Sequence, residues 1–585
     1  MDNQRLFLYG ALGLLILLIW QTWQVDYGPQ SGSGQQAATA ESGTRPAGSA
    51  STSSGGEGAG APEDTPGTPI TSSGNQGGGN NGQASAPVSA PKDDTLPHGK
   101  RVHVVTDLLD VTIDTHGADI RDASLIKYKH KVGRKQPVQL LSDAPGRMFI
   151  AQSGLQAGHA PAPTHHDTYT AERDQYRLSK GKDELRVPLT WTRGGVRVTK
   201  TFVFHRDSYV VNVDFDVSNG SGKSWTGRQY HQFQREPVPE GEKPPLIPAF
   251  FGAAYYSQAD KYEKIAFDDL ADENLQKTVQ GGWTAMVDHY FLAACIPGSS
   301  ENNTFYTKVL DKGSLPRYII GLYSPARQVA PGANARFSTE LFLGPKEKQR
   351  LEAAAQGLDL TIDYGYMTVL SAPLFWVLDH IHAFIGNWGW SIILLTMMIK
   401  LVFYKLSETS YKSMARMKKM QPKIKQLKER HGDDREKMGR AMMDLYKTEK
   451  INPLGGCLPI VVQIPVFIAL YWMLLGSVEL RHADFMLWIN DLSSRDPYYV
   501  LPLLMGISMW AQQRLNPAPV DPIQQKLFMA LPFVFTIFFS FFPAGLVLYW
   551  LTNNVLSGAQ QYYITRYVVG DGGKEKSRSR SKAKS

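Results

Sequence analysis

Lys400 is the residue best placed to do chemistry, because its ammonium is set inside the apolar run Ser391-Ile-Ile-Leu-Leu-Thr-Met-Met-Ile-Lys400-Leu-Val-Phe-Tyr404. A cation in hydrocarbon costs about 2.5–3.5 kcal/mol on insertion scales, so it needs water, an anion or a way out. One way out is close. Tyr404 lies four residues on, about 6 Å of helix, and the ammonium can snorkel to that cytoplasmic end. Other apolar runs also carry polar side chains, namely Thr396, Gln463, Gln512, Asn553 and Asn554. In membrane spans such groups face protein or water, although helix–helix hydrogen bonding accounts for any single one. Taken with Lys400 they point to a wet recess within the bilayer. The chemistry such a recess offers is electrostatic: it attracts hydrophilic or anionic segments and makes no covalent bond.

Nothing in the chain points to bond-making catalysis. There is no Walker loop, no Gly-x-Ser-x-Gly, no His-Glu-x-x-His and no Cys-x-x-Cys. The 14 histidines are scattered, and a scattered histidine is a surface or packed residue far more often than a ligand or base. The two cysteines, Cys295 and Cys457, exclude a disulfide framework and a Cys-rich metal site. The expectation is therefore no catalytic residue, no cofactor, no metal and no enzyme.

The elements that must position Lys400 are helices of membrane length. In the 585 residues, Leu6 to Trp23 is an uncharged run that makes about 27 Å of helix, with Trp20, Trp23 and Tyr27 as interfacial anchors. It reads as an uncleaved signal anchor over 1–27. Five further apolar blocks cover about 388–404, 454–475, 498–512, 527–542 and 546–564, making six transmembrane helices. Pro543-Ala544-Gly545 folds the last two against each other. The third and fourth of these blocks make only about 23–24 Å of helix against a hydrocarbon layer near 30 Å, a mismatch that thins the bilayer locally. Pro373 to Phe384 reads as an amphipathic interfacial helix within a linker, 358–385; its alternative is the start of the next span.

Charge gives orientation. Lys405 to Pro453 holds 14 Lys/Arg against 7 Asp/Glu, Ser477 to Asp496 holds 2 against 4, and the tail from Arg566 holds 7 against 2. By the positive-inside rule both termini are cytoplasmic and residues about 24–386 lie outside the cytoplasm. The net charge of +8 is thereby placed beside membrane and does not demand nucleic acid.

Between the spans lie soluble parts. Of the 60 residues from Ser31 to Ala90, 46 are Gly, Ser, Ala, Pro or Thr, so the linker 28–98 cannot form a core. Over 99–350 the composition is that of a β-sandwich, with strands expected at Val111–Asp114, Leu185–Thr192, Val196–His205 and Tyr209–Val217 and a hairpin at Gly194-Gly195. The segment 407–450 reads as a cytoplasmic helical hairpin turning at His431-Gly432-Asp433-Asp434, with Pro422 interrupting its first helix. Met414, Met417, Met420, Met438 and Met442 mark it as an adaptable landing surface for apolar clients, although methionine stripes are more often packing and the basic face also suits anionic lipid. The tail 567–585 is basic.

The motif Asn452-Pro-Leu-Gly-Gly-Cys457-Leu-Pro-Ile-Val-Val-Gln463-Ile-Pro465-Val-Phe467 resembles the YidC/Oxa/Alb family of membrane protein insertases. So do Gly386-Asn-Trp-Gly389, Met420-Gln-Pro-Lys-Ile424, Asp496-Pro-Tyr-Tyr499 and Phe542-Pro-Ala-Gly-Leu-Val-Leu-Tyr549. Gly281-Gly-Trp-Thr-Ala-Met-Val-Asp-His-Tyr-Phe291 is similar to the large periplasmic domain of the Gram-negative type. The resemblance implies a five-helix insertase core over 386–566 plus the anchor, a periplasmic β-supersandwich, and a hydrophilic groove open to cytoplasm and lipid. It implies that Lys400 stands where the family carries a groove arginine, keeping the charge but not the planar fork of donors. It also implies that Thr396, Tyr549 and Trp550 line the groove or touch clients. With Gln463, Gln512 and Asn553 these make up the expected client site.

The resulting expectation is an insertase of the bacterial inner membrane that works as a monomer. Its partners would be nascent membrane proteins, anionic lipids, the Sec translocon and the ribosome, with no specific nucleic acid. Two rival readings are a small-anion transporter, for which no internal repeat is found, and a carbohydrate-binding ectodomain on a membrane anchor, which leaves five spans unused.

Overall fold

The computed structural model describes residues 64–66, 96–130, 136–239, 249–272, 274–310, 315–431, 434–449, 458–516 and 522–568. The anchor, most of the linker, Cys457 with the glycines before it, the turn residues Gly432 and Asp433, and the tail beyond Val568 lie outside the described residues. The described residues fall into two compact bodies, one within 64–415 and 458–568 and one of 416–431 with 434–449.

In the larger body, alternating apolar and polar side chains make strands wherever turn residues separate them. Glu184–Arg193 and Val196–His205 pair antiparallel about Gly194-Gly195. Both glycines have positive φ, 58° and 79°, the twist a two-residue hairpin requires. Among the described residues the strands form two sheets, of eleven and nine strands. Their inner faces meet in one core, with Trp225 and Phe233 from the larger sheet and Phe202, Phe215 and Leu343 from the smaller.

That core also encloses a charge. Lys200 is fully buried among the rings of Phe202 and Phe215, each 5.4 Å away, and donates to the carbonyls of Ser153 at 2.9 Å and Gly117 at 3.1 Å. Burial pulls its pKa down to about 7 from 10.5. The folded state therefore binds fewer protons than the unfolded one between those values. The cost of burying Lys200 is full below about pH 7 and is relieved as pH rises toward 10.5. The stability of wild type relative to Lys200→Met should thus increase from pH 7 to pH 10, by on the order of 3 kcal/mol. Hydrogen exchange of the Val196–His205 strand reads this; a difference that stays flat with pH contradicts it.

After the sheets come helices α1 (Thr368–Ile385), α2 (Trp388–Val402), α3 (Tyr404–His431), α4 (Arg435–Thr448), α5 (Leu458–Gly476), α6 (Val500–Gln513), α7 (Pro522–Phe539) and α8 (Ala544–Tyr563). α1 begins five residues before the expected interfacial helix and carries Pro373 inside it. Ser371, Phe375 and Leu378 form its buried stripe, at the i, i+4, i+7 spacing of one helix face. Among the described residues α1 alone is long and apolar enough to cross a membrane by length and composition. Trp388–Val402 and Tyr404–Leu427 meet that test only as a pair, bent by 69°. Val462–Gly476 and Gln525–Phe539 are shorter apolar helices. The block expected to run straight to Tyr404 instead stops at Phe403, so Lys400 sits within one turn of the bend.

Large apolar side chains cover the outside of these helices: Val369 and Phe384 on α1, Leu401 on α2, Leu503 and Ile507 on α6, and Phe533 and Ile537 on α7 are exposed. A soluble monomer rarely shows so extended an apolar surface, whereas hydrocarbon accepts it.

The helices and the sheets interlock. Arg481 donates to the carbonyls of Lys129 and His130, both at 3.1 Å, and Lys264 pairs with Asp363 at 2.5 Å. The His289 imidazole meets the carbonyl of Leu475 at 3.0 Å, at the end of α5. Burial pulls the pKa of His289 down to about 4, so the ring is neutral and its Nε2–H donates.

In the smaller body, α3 runs unbroken through Pro422, correcting the expected interruption. A proline removes one intrahelical donor, and the turns on either side hold the helix together. Asp434 caps α4, accepting from the amide of Lys437, and Lys423 on α3 pairs with Glu449 at 2.7 Å. Met420 is buried and Met417, Met438 and Met442 are half-buried; Met443 is exposed. Met414, half-buried, belongs to the larger body.

Candidate functional site

α8 is the helix against which α2, α5 and α6 all pack. Close approach is possible where small residues meet. A Cβ on Gly506 of α6 would lie 1.9 Å from the hydroxyl of Thr536 on α7, and one on Gly545 would lie 3.1 Å from the carbonyl of Leu492.

Lys400 turns inward from α2 and is 8% exposed, so it does not snorkel. Its ammonium donates to Ser557 Oγ on α8 at 2.7 Å. Ser557 in turn donates to the carbonyl of Asn553 at 2.6 Å, and its hydroxyl also bonds the side chain of Tyr411 on α3. Among the described residues Lys400 has no carboxylate partner. The cation is thus held by neutral oxygen, with its charge unmatched.

The same face of α8 continues the polar line. Trp550, Asn554, Ser557 and Gln561 recur at i, i+4, i+7 and i+11, one stripe of a helix. Three of them hold a buried polar atom that no protein group satisfies: Trp550 Nε1, Asn554 Nδ2 and Gln561 Oε1. Gln561 spends its amide nitrogen on Asn516 at 2.9 Å. Buried polar groups without partners are rare in folded proteins, and here three of them line up beside an unmatched cation.

The other expected site residues fall into three groups. Tyr549 is buried and stacks on Phe467 of α5, centroids 6.1 Å apart, and Trp550 meets Phe467 edge-on at 4.5 Å and Phe539 at 4.8 Å. These make an aromatic wall beside the polar stripe. Thr396 is buried one turn before Lys400, but its hydroxyl is spent on the carbonyl of Ile392 at 2.7 Å. Gln463, Gln512 and Asn553 are half-buried, and among the described residues none makes a side-chain hydrogen bond to Lys400. Asn554 is the deeper of the two adjacent asparagines. Ser557, Gln561 and Tyr411 are ordinary residues in the sequence; the four-residue stripe on α8 is the signal that picks out Ser557 and Gln561, and no local pattern picks out Tyr411 on α3.

At the far end of α5 a short loop is tied by two aspartates. Asp491 accepts from the amides of His482 (3.0 Å) and Ser493 (2.8 Å) and from the hydroxyls of Ser493 and Ser494, both at 2.7 Å. Burial alone would raise its pKa, but the His482 imidazole, with Nδ1 3.4 Å from Asp491 Oδ2, and these donors together outweigh burial and hold the carboxyl well below the usual range. Asp496, almost fully buried, accepts from Trp488 Nε1 and from the amides of Tyr498 and Leu501. The loop also pairs with the start of α8, the amide of Ala544 donating to Ser494 O at 2.7 Å and that of Gly545 to Leu492 O at 2.9 Å. These hydrogen bonds tie the loop to that end of the helices.

Two family descriptions match the chain: "YidC periplasmic domain" over residues 101–377 and "60Kd inner membrane protein" over 380–571. The chain is 51% identical to a membrane protein insertase YidC of Thioalkalivibrio sulfidiphilus, covering 98% of this chain and all of that relative. It is 49% identical to one of Alkalilimnicola ehrlichii, covering 97% and 96%. Among solved structures, an active YidC insertase aligns over 80% of this chain and 94% of its own at 18% identity and a TM-score of 0.38. A galactose mutarotase related enzyme from Lactobacillus acidophilus aligns over 42% of this chain and 97% of its own at 10% identity and a TM-score of 0.29.

Proposed function

Since the chain belongs to the YidC family and is a membrane protein insertase, we propose that it carries hydrophilic segments of client proteins past Lys400 and the polar stripe of α8, and releases client helices sideways into lipid. The observation that carries this reading is the unmatched ammonium of Lys400 on Ser557, beside buried polar atoms that the protein leaves unsatisfied. A client's polar tail supplies partners to those groups. Its apolar helix finds the aromatic wall of Tyr549, Trp550 and Phe467 and then hydrocarbon.

No bond is made or broken in this transfer. Burial of about 20 apolar residues in the bilayer drives it, and the membrane potential adds about 2.3 kcal/mol per charge per 100 mV for acidic tail residues. Six spans frame the reading, the anchor expected over 1–27 with the helices that carry the five apolar blocks, α2, α5, α6, α7 and α8; α1, although long enough to cross, is laid along the interface by its polar Asp379, His380 and His382. The loop tied by Asp491 and Asp496 then closes the periplasmic end, and both termini are cytoplasmic. The methionines of α3 and α4 offer clients a first contact from the cytoplasm. Nascent membrane proteins are the partners, alone or with the Sec translocon, and the basic segments suit anionic lipids and the ribosome.

Photo-crosslinkers at positions 396, 400, 463 and 549 test the route on a ribosome-stalled single-span client. Adducts at 400 and 549 that move along the client as its length increases are expected. Adducts absent from both positions at every length exclude the route.

A further inference from the structure

Within the β domain, three residues of the Gly/Ser-rich linker lie against the larger sheet. Thr65 is 1% exposed and Pro66 is buried with it. Asp64 directs one carboxylate oxygen to His166 Nε2 at 2.7 Å and the other to His165 Nε2 at 3.1 Å. The backbone is read as well: Gln232 Nε2 donates to the carbonyl of Asp64 at 3.0 Å, and Gln156 Nε2 donates to that of Pro66 at 3.1 Å.

We propose that this face of the β domain is a peptide-binding site for a short acidic segment, filled in cis by Asp64-Thr65-Pro66, in which the imidazoles of His165 and His166 clamp the carboxylate while Gln232 and Gln156 hold the main chain.

The site is built into the strands. Phe149–Ala157 and Trp225–Arg235 pair so that Gln152 faces Gln232, Gly154 faces Tyr230 and Gln156 faces Arg228. Residues two apart share a sheet face, so this row is one polar stripe. Gly154 is needed there, because a Cβ would lie 2.8 Å from the Tyr230 hydroxyl. Each reader is itself held: Gln232 Oε1 accepts from Tyr306, and Gln156 Oε1 from Arg228 at 3.0 Å.

Proton positions follow from the acceptor. A carboxylate only accepts, so His165 Nε2 carries the hydrogen that faces Asp64. On its other side the ring meets the Tyr230 hydroxyl through Nδ1 at 2.6 Å, and that oxygen also accepts from the amide of His165 at 3.0 Å. The bond to Asp64 raises the pKa of His166, and although burial would raise that of Asp64, the two imidazoles hold it well below the carboxylate range. The donor atoms of Asp64, His165 and His166 lie within 4.8 Å of one another, a set zinc also accepts. Chelation, however, has no use for the two glutamines that read backbone carbonyls.

Diethylpyrocarbonate footprinting of His166 in the purified full chain tests the site. The Asp64→Lys substitution touches only the linker, and it should speed modification of His166 by about tenfold or more, the weight of a charge-assisted hydrogen bond. A peptide of residues 60–70 added at millimolar concentration should restore protection to the Asp64→Lys protein, and the same peptide with Asp64→Asn should not. Equal rates in wild type and Asp64→Lys overturn the docking. Equal protection by the two peptides overturns the carboxylate clamp. Loss of wild-type protection on removing divalent metal, with recovery on adding zinc, overturns the direct imidazole contact in favour of a metal centre.

Discussion

Lys400→Glu should lower insertion of a single-span client with an acidic tail by at least about tenfold, while Lys400→Arg inserts at or above the wild-type rate and Lys400→Ala falls between. The order follows from what surrounds the ammonium. Lys400 has a neutral partner in Ser557 and no carboxylate among the described residues, so its charge is available to a client. A charge-assisted hydrogen bond contributes about 1.5–3 kcal/mol net, which is ten- to hundredfold in occupancy. Glutamate removes that attraction and adds repulsion. Arginine keeps the charge and gains a fork of donors. Ser557→Ala separates charge from placement: it leaves the ammonium but frees it from α8, and a severalfold loss, rescued by Ser557→Thr, is expected. Reconstituted proteoliposomes read all five variants. Equal insertion by the Arg, Ala and Glu proteins would remove Lys400 from the mechanism.

Asp491→Ala should cost about 3 kcal/mol and loosen the loop tied to the end of α5 and the start of α8. The carboxylate accepts four hydrogen bonds from the loop it organises; removing it strands buried donors, which is costlier than the bonds themselves. Asp491→Asn keeps one acceptor and should recover roughly half. The effect has a definite pH dependence. The carboxyl's folded pKa lies below its unfolded value of 3.8, so the stabilisation is complete above about pH 5 and is lost as pH falls through the folded value. The gap between wild type and Asp491→Ala should narrow below pH 4. Hydrogen exchange over residues 477–499 in detergent reads both, and a gap that widens in acid contradicts the assignment.

How much of this was legible from residues alone depended on the length scale of each signal. Apolar blocks, basic loops and the Gly194-Gly195 hairpin are written in composition and period, and they appear as helices and strands within a few residues of where the pattern puts them. Lys400 stood out because a cation among apolar neighbours is rare. Ser557 did not, because a serine in an apolar helix is ordinary until a partner 157 residues away is known. Pro422 misled in the opposite direction: its local preference is to break a helix, and the long helix on either side outweighs it. Asp64-Thr65-Pro66 was invisible for a different reason. Three residues do not alter the statistics of the linker 28–98, and what singles them out is a row of glutamines on strands, with two histidines from the loop beside them, remote in sequence.

The clasp between the sheets and the helical part, through Arg481 in the loop after α5, His289 on the end of α5 and Lys264 on Asp363 before α1, has a practical consequence for imaging. A helical membrane protein of this size offers particle-alignment software little to grip once micelle density surrounds it. Here the β domain is a fiducial that comes with the molecule. An antibody fragment raised against its solvent side would report the orientation of Lys400 as faithfully as one gripping the helices.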